Sequence, residues 1–389
     1  MIMKYRKSWC SLLASASVMA TCASCFGLAN AASSDNAWRT ECVGRFSFDL
    51  PGEAVVAVPH LVEATQGNHA YFFATGTVPG ASTAPWEHKD QAWNAYQRVN
   101  DRGTLFTSDE YTLASFPKLK LAIDEIWSGK KRALVADGDS AQADNIVAEP
   151  LPFKDAFAWR FKAAHTRMSQ SDTLQAYFVR SGHVFFFQDE DEDPKALTKR
   201  VAAVLSDVRA REMFEVPAEP GICLQNAFLP DHGGVKRSVG VPYRLKDHPE
   251  VEVFFSDSSA GPLPRANSKR QTAADEVQFF WEARYGSGDK QHKLIHPHIP
   301  GIAQFPDVRL GGYKGKASFV EITHRDNSID YGYMAYVKDD AGANEDSPTL
   351  MLYVIRTASR AKGEPLSKDQ IKEMAERIAD SVRRRPMTQ

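Results

Sequence analysis

The chain has 389 residues, with 47 Lys and Arg against 49 Asp and Glu, for a formal charge of −2 at neutral pH. That balance lacks the clustered basic face a nucleic-acid binder needs, and the run Arg383-Arg384-Arg385 is only a short basic tail. At roughly 100–200 residues per domain, the length favours two domains.

The first residues are an address rather than a fold. Lys4, Arg6 and Lys7 form a basic region, residues 9–28 are uncharged, apolar and small, and Ala29-Asn30-Ala31 supplies a small-x-small cleavage pattern. Residues 1–31 therefore read as a secretory signal peptide and place the mature chain in the periplasm. A membrane anchor needs roughly 20 consecutive apolar residues, and Ser11, Ser15, Ser17, Thr21 and Ser24 dilute this stretch. No integral membrane segment is expected after cleavage. Lipid attachment through Cys25, which follows Ala23 and Ser24, is the lesser alternative, because Cys22 stands where such signals usually carry Leu.

Past the signal, Phe46, Phe48 and Leu50 alternate with Ser47 and Asp49, a period of two that marks a strand with one apolar face. Residues 86–99 read as a helix. Strands follow at 157–165, 177–180 and 183–187, the last an unbroken apolar run suited to a central strand covered on both faces. In 194–211, Leu197, Val201, Val204, Leu205 and Val208 form one helical stripe, introduced by Asp193-Pro194 as cap and first-turn proline. Val216-Pro-Ala-Glu-Pro-Gly221 then breaks the chain.

The second part repeats the plan. Val251, Val253 and Phe255 alternate, and a helix at 277–284 puts Val277, Phe280 and Trp281 on one side. Strands follow at 319–324, 333–337 and 350–355. The closing helix at 368–385 carries Ile371, Met374, Ala375, Ile378 and Val382 as its stripe, with Ser367 and Gln370 as capping box and Leu366 and Ile371 as staple. Strand, strand, strand, helix thus closes both halves, 32–215 and 216–389. Two copies of this size make two similar domains with a cleft, whereas a solenoid needs three or more short repeats. The expected class is α+β by internal duplication, each domain an antiparallel sheet with helices packed on one face.

Candidate chemistry is sparse. After signal removal only Cys42 and Cys223 remain, one per half; in an oxidising compartment they invite a disulfide tying the halves together, the alternative being two buried free thiols. Gly138-Asp139-Ser140 and Asp289-Lys-Gln-His292 resemble fragments of a serine hydrolase, but they lie in different halves and a nucleophile needs its base within hydrogen-bond reach. His292, His296 and His298 suggest zinc, yet no fourth ligand lies near and Lys290 and Lys293 oppose a cation. No cofactor is implied. The acidic run Asp189, Glu190, Asp191, Glu192 exceeds what a helix N-terminus uses, and together with Asp339, Asp340, Glu345 and Asp346 it is the candidate contact for a protein partner. The Pro-rich segment 258–265 and the loop 339–347 are further candidate rim segments.

Each half opens on a cysteine. Cys42-Val-Gly-Arg-Phe-Ser-Phe-Asp-Leu-Pro51 resembles the start of the N-terminal domain of two-domain immunity proteins that neutralise type VI secretion lipase effectors, and Gly221-Ile-Cys-Leu-Gln-Asn-Ala-Phe-Leu229 is similar to the start of their C-terminal domain. The later strands and closing helices fit the same plan, so the resemblance spans most of 40–385. Where that family often has Gly and an acidic residue after the second cysteine, this chain has Leu224, Gln225 and Asn226. The resemblance implies a periplasmic protein, not an enzyme, that binds a phospholipase toxin between its two domains and keeps substrate from the active site. The rival class is an exported small-ligand-binding protein, which would show a concave, apolar site with a few convergent polar groups.

Overall fold

The computed structural model describes residues 38–67, 71–73, 91–92, 95–99, 103–108, 112–166, 169–231, 235–259, 272–286, 292–295, 305–324, 326–338 and 347–387. The chain opens on a hairpin, β1 (Trp38–Val43) and β2 (Phe46–Pro51), followed by β3 (Ala54–Pro59), a short helix α1 (Leu61–Thr65), β4 (Tyr71–Phe73), β5 (Gln91–Ala92), β6 (Tyr96–Val99) and β7 (Gly103–Ser108). Helices α2 (Phe116–Ala136) and α3 (Ser140–Asp144) lead to β8 (Val147–Glu149). A meander of β9 (Ala156–Thr166), β10 (Ser169–Arg180) and β11 (His183–Asp191) ends in α4 (Pro194–Asp207) and a two-residue strand, β12 (Arg209–Ala210).

A second hairpin, β13 (Gly221–Leu224) and β14 (Ala227–Pro230), begins the rest. Next come β15 (Arg237–Leu245), β16 (Val251–Ser258), α5 (Ala273–Trp281) continued by a π-turn (Glu282–Gly286), β17 (His292–Ile295) and β18 (Asp307–Leu310). A second meander of β19 (Tyr313–His324), β20 (Ile329–Val337) and β21 (Thr349–Arg356) ends in α6 (Lys368–Ser381) and β22 (Arg383–Arg384).

One 16-stranded sheet holds most of these strands in the order β17-β19-β20-β21-β16-β15-β6-β7-β11-β10-β9-β8, with antiparallel pairing throughout. Outward from the β15–β6 junction, both directions meet a hairpin partner, then the third, second and first meander strands, then a short edge strand. The sheet therefore runs across the boundary near 216, and residues Ala37–Gln389 cluster as one compact unit.

The α+β class holds, with helices on both faces of the sheet rather than on one. Tyr177 and Phe186 face the core under α2, built on Phe116, Leu119, Ile123 and Trp127, whereas Phe178, Phe185 and Phe187 face the core shared with α4. In the second meander Met334 and Tyr353 pack with α5, and Ala335, Leu352 and Val354 pack in the core shared with α6. The cause is visible in the strands: 184–187 and 352–355 are buried at every position, and a strand apolar on both sides needs cover on both.

Two elements depart from the sequence reading. The helix expected over 86–99 is not found among its described residues: 91–92 form β5 and 96–99 form β6, where Gln97 and Val99 are buried against exposed Arg98 and the strand pairs with β15, while 86–90 lie outside the described residues. Gln97 is fixed by Gln225, which receives its side-chain N–H at 2.9 Å and donates its backbone N–H at 2.7 Å. Cross-strand partners override helical spacing here. The long helix α2, conversely, was not anticipated.

The opening hairpins exchange sides. β2 pairs with β22, the strand that follows the closing helix of the other half, giving a three-stranded sheet β1-β2-β22. Reciprocally, β14 pairs with β12, the strand that follows α4, giving β12-β14-β13. Phe46, Phe48 and Leu50 are buried as their alternation requires, and Phe48 packs on Phe255 and Tyr243 of the second half.

Candidate partner-binding surface

Where the hairpins cross, the halves are joined covalently. Cys42 and Cys223 form a disulfide with Cα atoms 5.7 Å apart. Beside it, Gly44 and Cys223 exchange backbone hydrogen bonds of 2.7 and 2.8 Å. Glycine is required at 44: its φ is +58°, and a Cβ there would stand 2.2 Å from Asp257. The next residue uses that closeness, as Arg45 donates its backbone N–H to Asp257 at 2.8 Å and its guanidinium to Asp231 at 3.0 Å.

Buried charge surrounds the crossing, and each charge has partners. Arg237 grips Asp257 through two bonds of 2.5 and 2.8 Å. Arg211 pairs with Glu41 at 2.7 Å and donates to the Cys42 carbonyl at 3.0 Å. Arg385 donates to the carbonyls of Pro217, Glu219 and Gly221 and to Cys223 Sγ at 3.2 Å. Removing one member of such a set strands the other in a low-dielectric interior, so this region is a rigid frame rather than a reactive centre. Sequence reasoning missed these arginines; the signal available was the Arg four residues past each closing helix, Arg211 after α4 and Arg385 after α6.

The hydrolase fragments are not brought together. Ser140 is exposed at the start of α3, where Asp139 caps the helix by accepting the Gln142 N–H at 3.0 Å. That helix precedes β8, at one end of the sheet, whereas His292 belongs to β17 at the other end. His296 and His298 lie outside the described residues. Among the described residues no three His, Cys, Asp or Glu converge as a metal set, and no helix is long and apolar enough to cross a membrane.

The acidic run is partly committed to the fold. Asp189 is buried and Arg200 reaches it at 2.5 Å, while the same guanidinium holds Asp191 at 2.9 Å and the Glu190 carbonyl at 3.1 Å. Asp193 caps α4 by accepting the Lys195 N–H at 2.9 Å, and Glu192 is exposed. Asp339, Asp340, Glu345 and Asp346 lie outside the described residues, as do positions 260–265 of the Pro-rich segment.

No protein-family model matches the sequence, and no curated protein matches it. Solved structures do. The type VI secretion system (T6SS) immunity protein TplEi of Pseudomonas aeruginosa, in complex with an "L" peptide, superposes with a TM-score of 0.54 at 17% identity, over 90% of this chain and 99% of that one. Its apo form gives 0.51 at 16% identity, over 90% and 98%. A chain of the Tle4–Tli4 complex gives 0.56 at 16% identity, over 91% and 99%. This chain has the fold of T6SS immunity proteins. The similarity extends over 90–91% of this chain rather than over a single module.

Proposed function

We propose that this chain is an exported immunity protein that binds a T6SS phospholipase effector in the periplasm and silences it by occupation rather than turnover. The observation that carries the reading is end-to-end similarity: the fold of TplEi and of the Tle4–Tli4 complex extends over 90–91% of the chain, not over one module. The Cys42–Cys223 bridge suits an oxidising compartment, and the signal-like residues 1–31 supply the route there.

In this reading the halves 32–215 and 216–389 act as two immunity-like domains derived from one plan, and both touch the effector. A rigid frame that fixes two surfaces at one spacing lets the second contact form at high effective concentration. Stable complexes of this kind bury about 800 Å² per partner over roughly 20–30 residues. The exposed parts of the acidic segment 189–192 and the loop 339–347 are proposed as rim contacts.

The test is protection. A lipase effector directed to the periplasm should arrest growth, and co-expression of this chain with residues 1–31 intact should restore it. Deletion of 1–31 should abolish the rescue. The separated pieces 32–215 and 216–389 should each protect poorly, because each then lacks the hairpin that seals its closing helix. Full protection by one piece would overturn the two-sided reading.

A further inference from the structure

One flank of α2 combines exposed apolar side chains with a groove. Large apolar side chains are exposed at only six described positions, and three of them belong to α2 or its lead-in: Leu113 at 55%, Leu121 at 70% and Val135 at 52%. Leu121, Ser128 and Val135 recur every seven residues, which sets them on one flank of the helix. Beneath that flank lies a groove of about 500 Å³, lined by Ser128, Lys131, Arg132, Val135, Ala136 and Trp159.

The groove is apolar with cationic edges. Trp159 forms its floor, held from behind by donation of its indole N–H to Asp124 at 3.0 Å and flanked by Phe161, which packs on Trp127. Both charged residues in the lining are basic, Lys131 and Arg132, although the chain as a whole is slightly acidic. Among the described residues Arg132 pairs with Glu125, both side chains exposed, and such pairs exchange at little cost. A third cation, Lys130, sits 5.0 Å over the Trp127 ring.

The sheet ends beside this groove. β8 is the terminal strand in the β9 direction, and Ala148, exposed, stands directly opposite Trp159. A chain added along β8 would project alternate side chains over Ala148 and Trp159, with main-chain bonds giving affinity and the groove giving selectivity. Acidic residues in that chain would meet Lys131 and Arg132.

We propose that the α2–Trp159 groove, continued by the β8 edge, seats an extended segment of the partner protein that alternates apolar and acidic side chains. That the partner is the lipase effector rests on the proposed function; the groove's preference for such a segment does not. A bilayer is the poorer fit, because a strand edge such as β8 is matched by main-chain hydrogen bonds from a polypeptide and not by lipid.

Two measurements on the full-length oxidised chain separate these claims. In the first, a fluorescent nonapeptide alternating Leu and Glu is titrated beside one alternating Leu and Lys. The Leu–Glu peptide should bind, at least tenfold more weakly to Ala136→Arg, which fills the groove, and to Lys131→Glu/Arg132→Glu. The charge-reversed variant should prefer the Leu–Lys peptide. Equal binding of the Leu–Glu peptide to all three proteins would overturn the proposal. In the second, a photo-crosslinker at Ser128 and affinity measurements use the lipase effector itself. Crosslinking to the effector, with at least tenfold weaker binding by Ala136→Arg, supports the site. Unchanged effector affinity in Ala136→Arg, or capture of only a second copy of this chain, overturns it while leaving the immunity reading intact. Peptide selectivity without any effector binding would instead sink the immunity reading and leave the groove standing. All variants lie on exposed or half-buried positions, and an intact Cys42–Cys223 bridge with unchanged circular dichroism verifies their fold.

Discussion

The two closing arginines occupy matching places past the closing helices, yet the interior holds them differently. Arg211, after α4 and β12, faces the carboxylate of Glu41 at 2.7 Å. Arg385, after α6 and β22, sits in a cage of three carbonyls and the Cys223 sulfur. Burial, reinforced by the nearby positive charge of Arg211, pulls the Arg385 guanidinium down to about 10. Arg211 is thus held by a carboxylate together with carbonyls, and Arg385 by carbonyls and a sulfur without a carboxylate. The lesson is that each arginine past a closing helix finds acceptors in the interior, but from different sources.

The largest expected effect breaks the ion pair. Glu41→Gln strands Arg211 beside a neutral amide, and losing one partner of a buried pair costs about 3–5 kcal/mol. Glu41 also accepts the Cys42 N–H at 2.7 Å and the Phe214 N–H at 2.6 Å, so the substitution loosens the crossing itself. Urea denaturation should show the loss; a change under about 1 kcal/mol would mean that Arg211 is solvated in solution.

Removal of the disulfide comes next. The bridge spans 181 residues of sequence, and disulfides typically contribute about 2–4 kcal/mol. Cys42→Ala/Cys223→Ala should unfold at correspondingly lower urea and should also make the two hairpins more susceptible to proteolysis. Two free thiols in the non-reduced intact mass of periplasm-derived protein would show that the bridge does not form.

Arg385→Met should cost less than Glu41→Gln, about 1–3 kcal/mol, because it leaves carbonyls unsatisfied but strands no charge. The opposite ranking would overturn the contrast between the two halves.

Much of the fold was legible because its signals are local. The caps at Asp193 and Ser367 and the stripes behind them specify α4 and α6, and the alternation of Phe46, Phe48 and Leu50 specifies β2. Partnership is not local. Nothing in 38–51 says that its strand pairs with residues 383–384, because both candidate neighbours offer the same backbone groups. Helix α2 escaped notice since its buried positions, Phe116, Leu119, Ile123 and Trp127, are interleaved with exposed Leu121 and Val135, which blurs the stripe. Of these, exposed Val135 lines the groove, so part of what obscured the helix is now assigned a use. The acidic run is a related case: its composition is plain, but the claim of Arg200 on Asp189 and Asp191 is visible only in three dimensions.

Smaller effects sharpen the comparison of the closing helices. Ser367 and Gln370 cap α6 reciprocally, whereas Asp193 caps α4 through a single bond to the Lys195 N–H. Ser367→Ala and Asp193→Ala should each cost about 1 kcal/mol, read as shifts in the urea midpoint.

The smallest effect is a pH dependence. Burial holds the His60 imidazole below its ordinary 6.5, an effect partly offset by Glu63. The folded state therefore binds this proton less readily than the unfolded state, so His60 favours folding above 6.5 and that advantage fades as pH falls through 6.5 toward the depressed value. Thermal midpoints measured from pH 7.5 down to about 5 should drop more for the native chain than for His60→Asn. Parallel curves would remove His60 from the account.

The central claim is inhibition by occupation, and a stoichiometric titration tests it most directly. Purified oxidised chain is added to a fixed, micromolar amount of lipase effector while phospholipid hydrolysis is followed. Activity should fall linearly and vanish at one equivalent, with the same endpoint for Ser140→Ala. Silencing of many equivalents of effector by one of this chain, or loss of inhibition in Ser140→Ala, would contradict it.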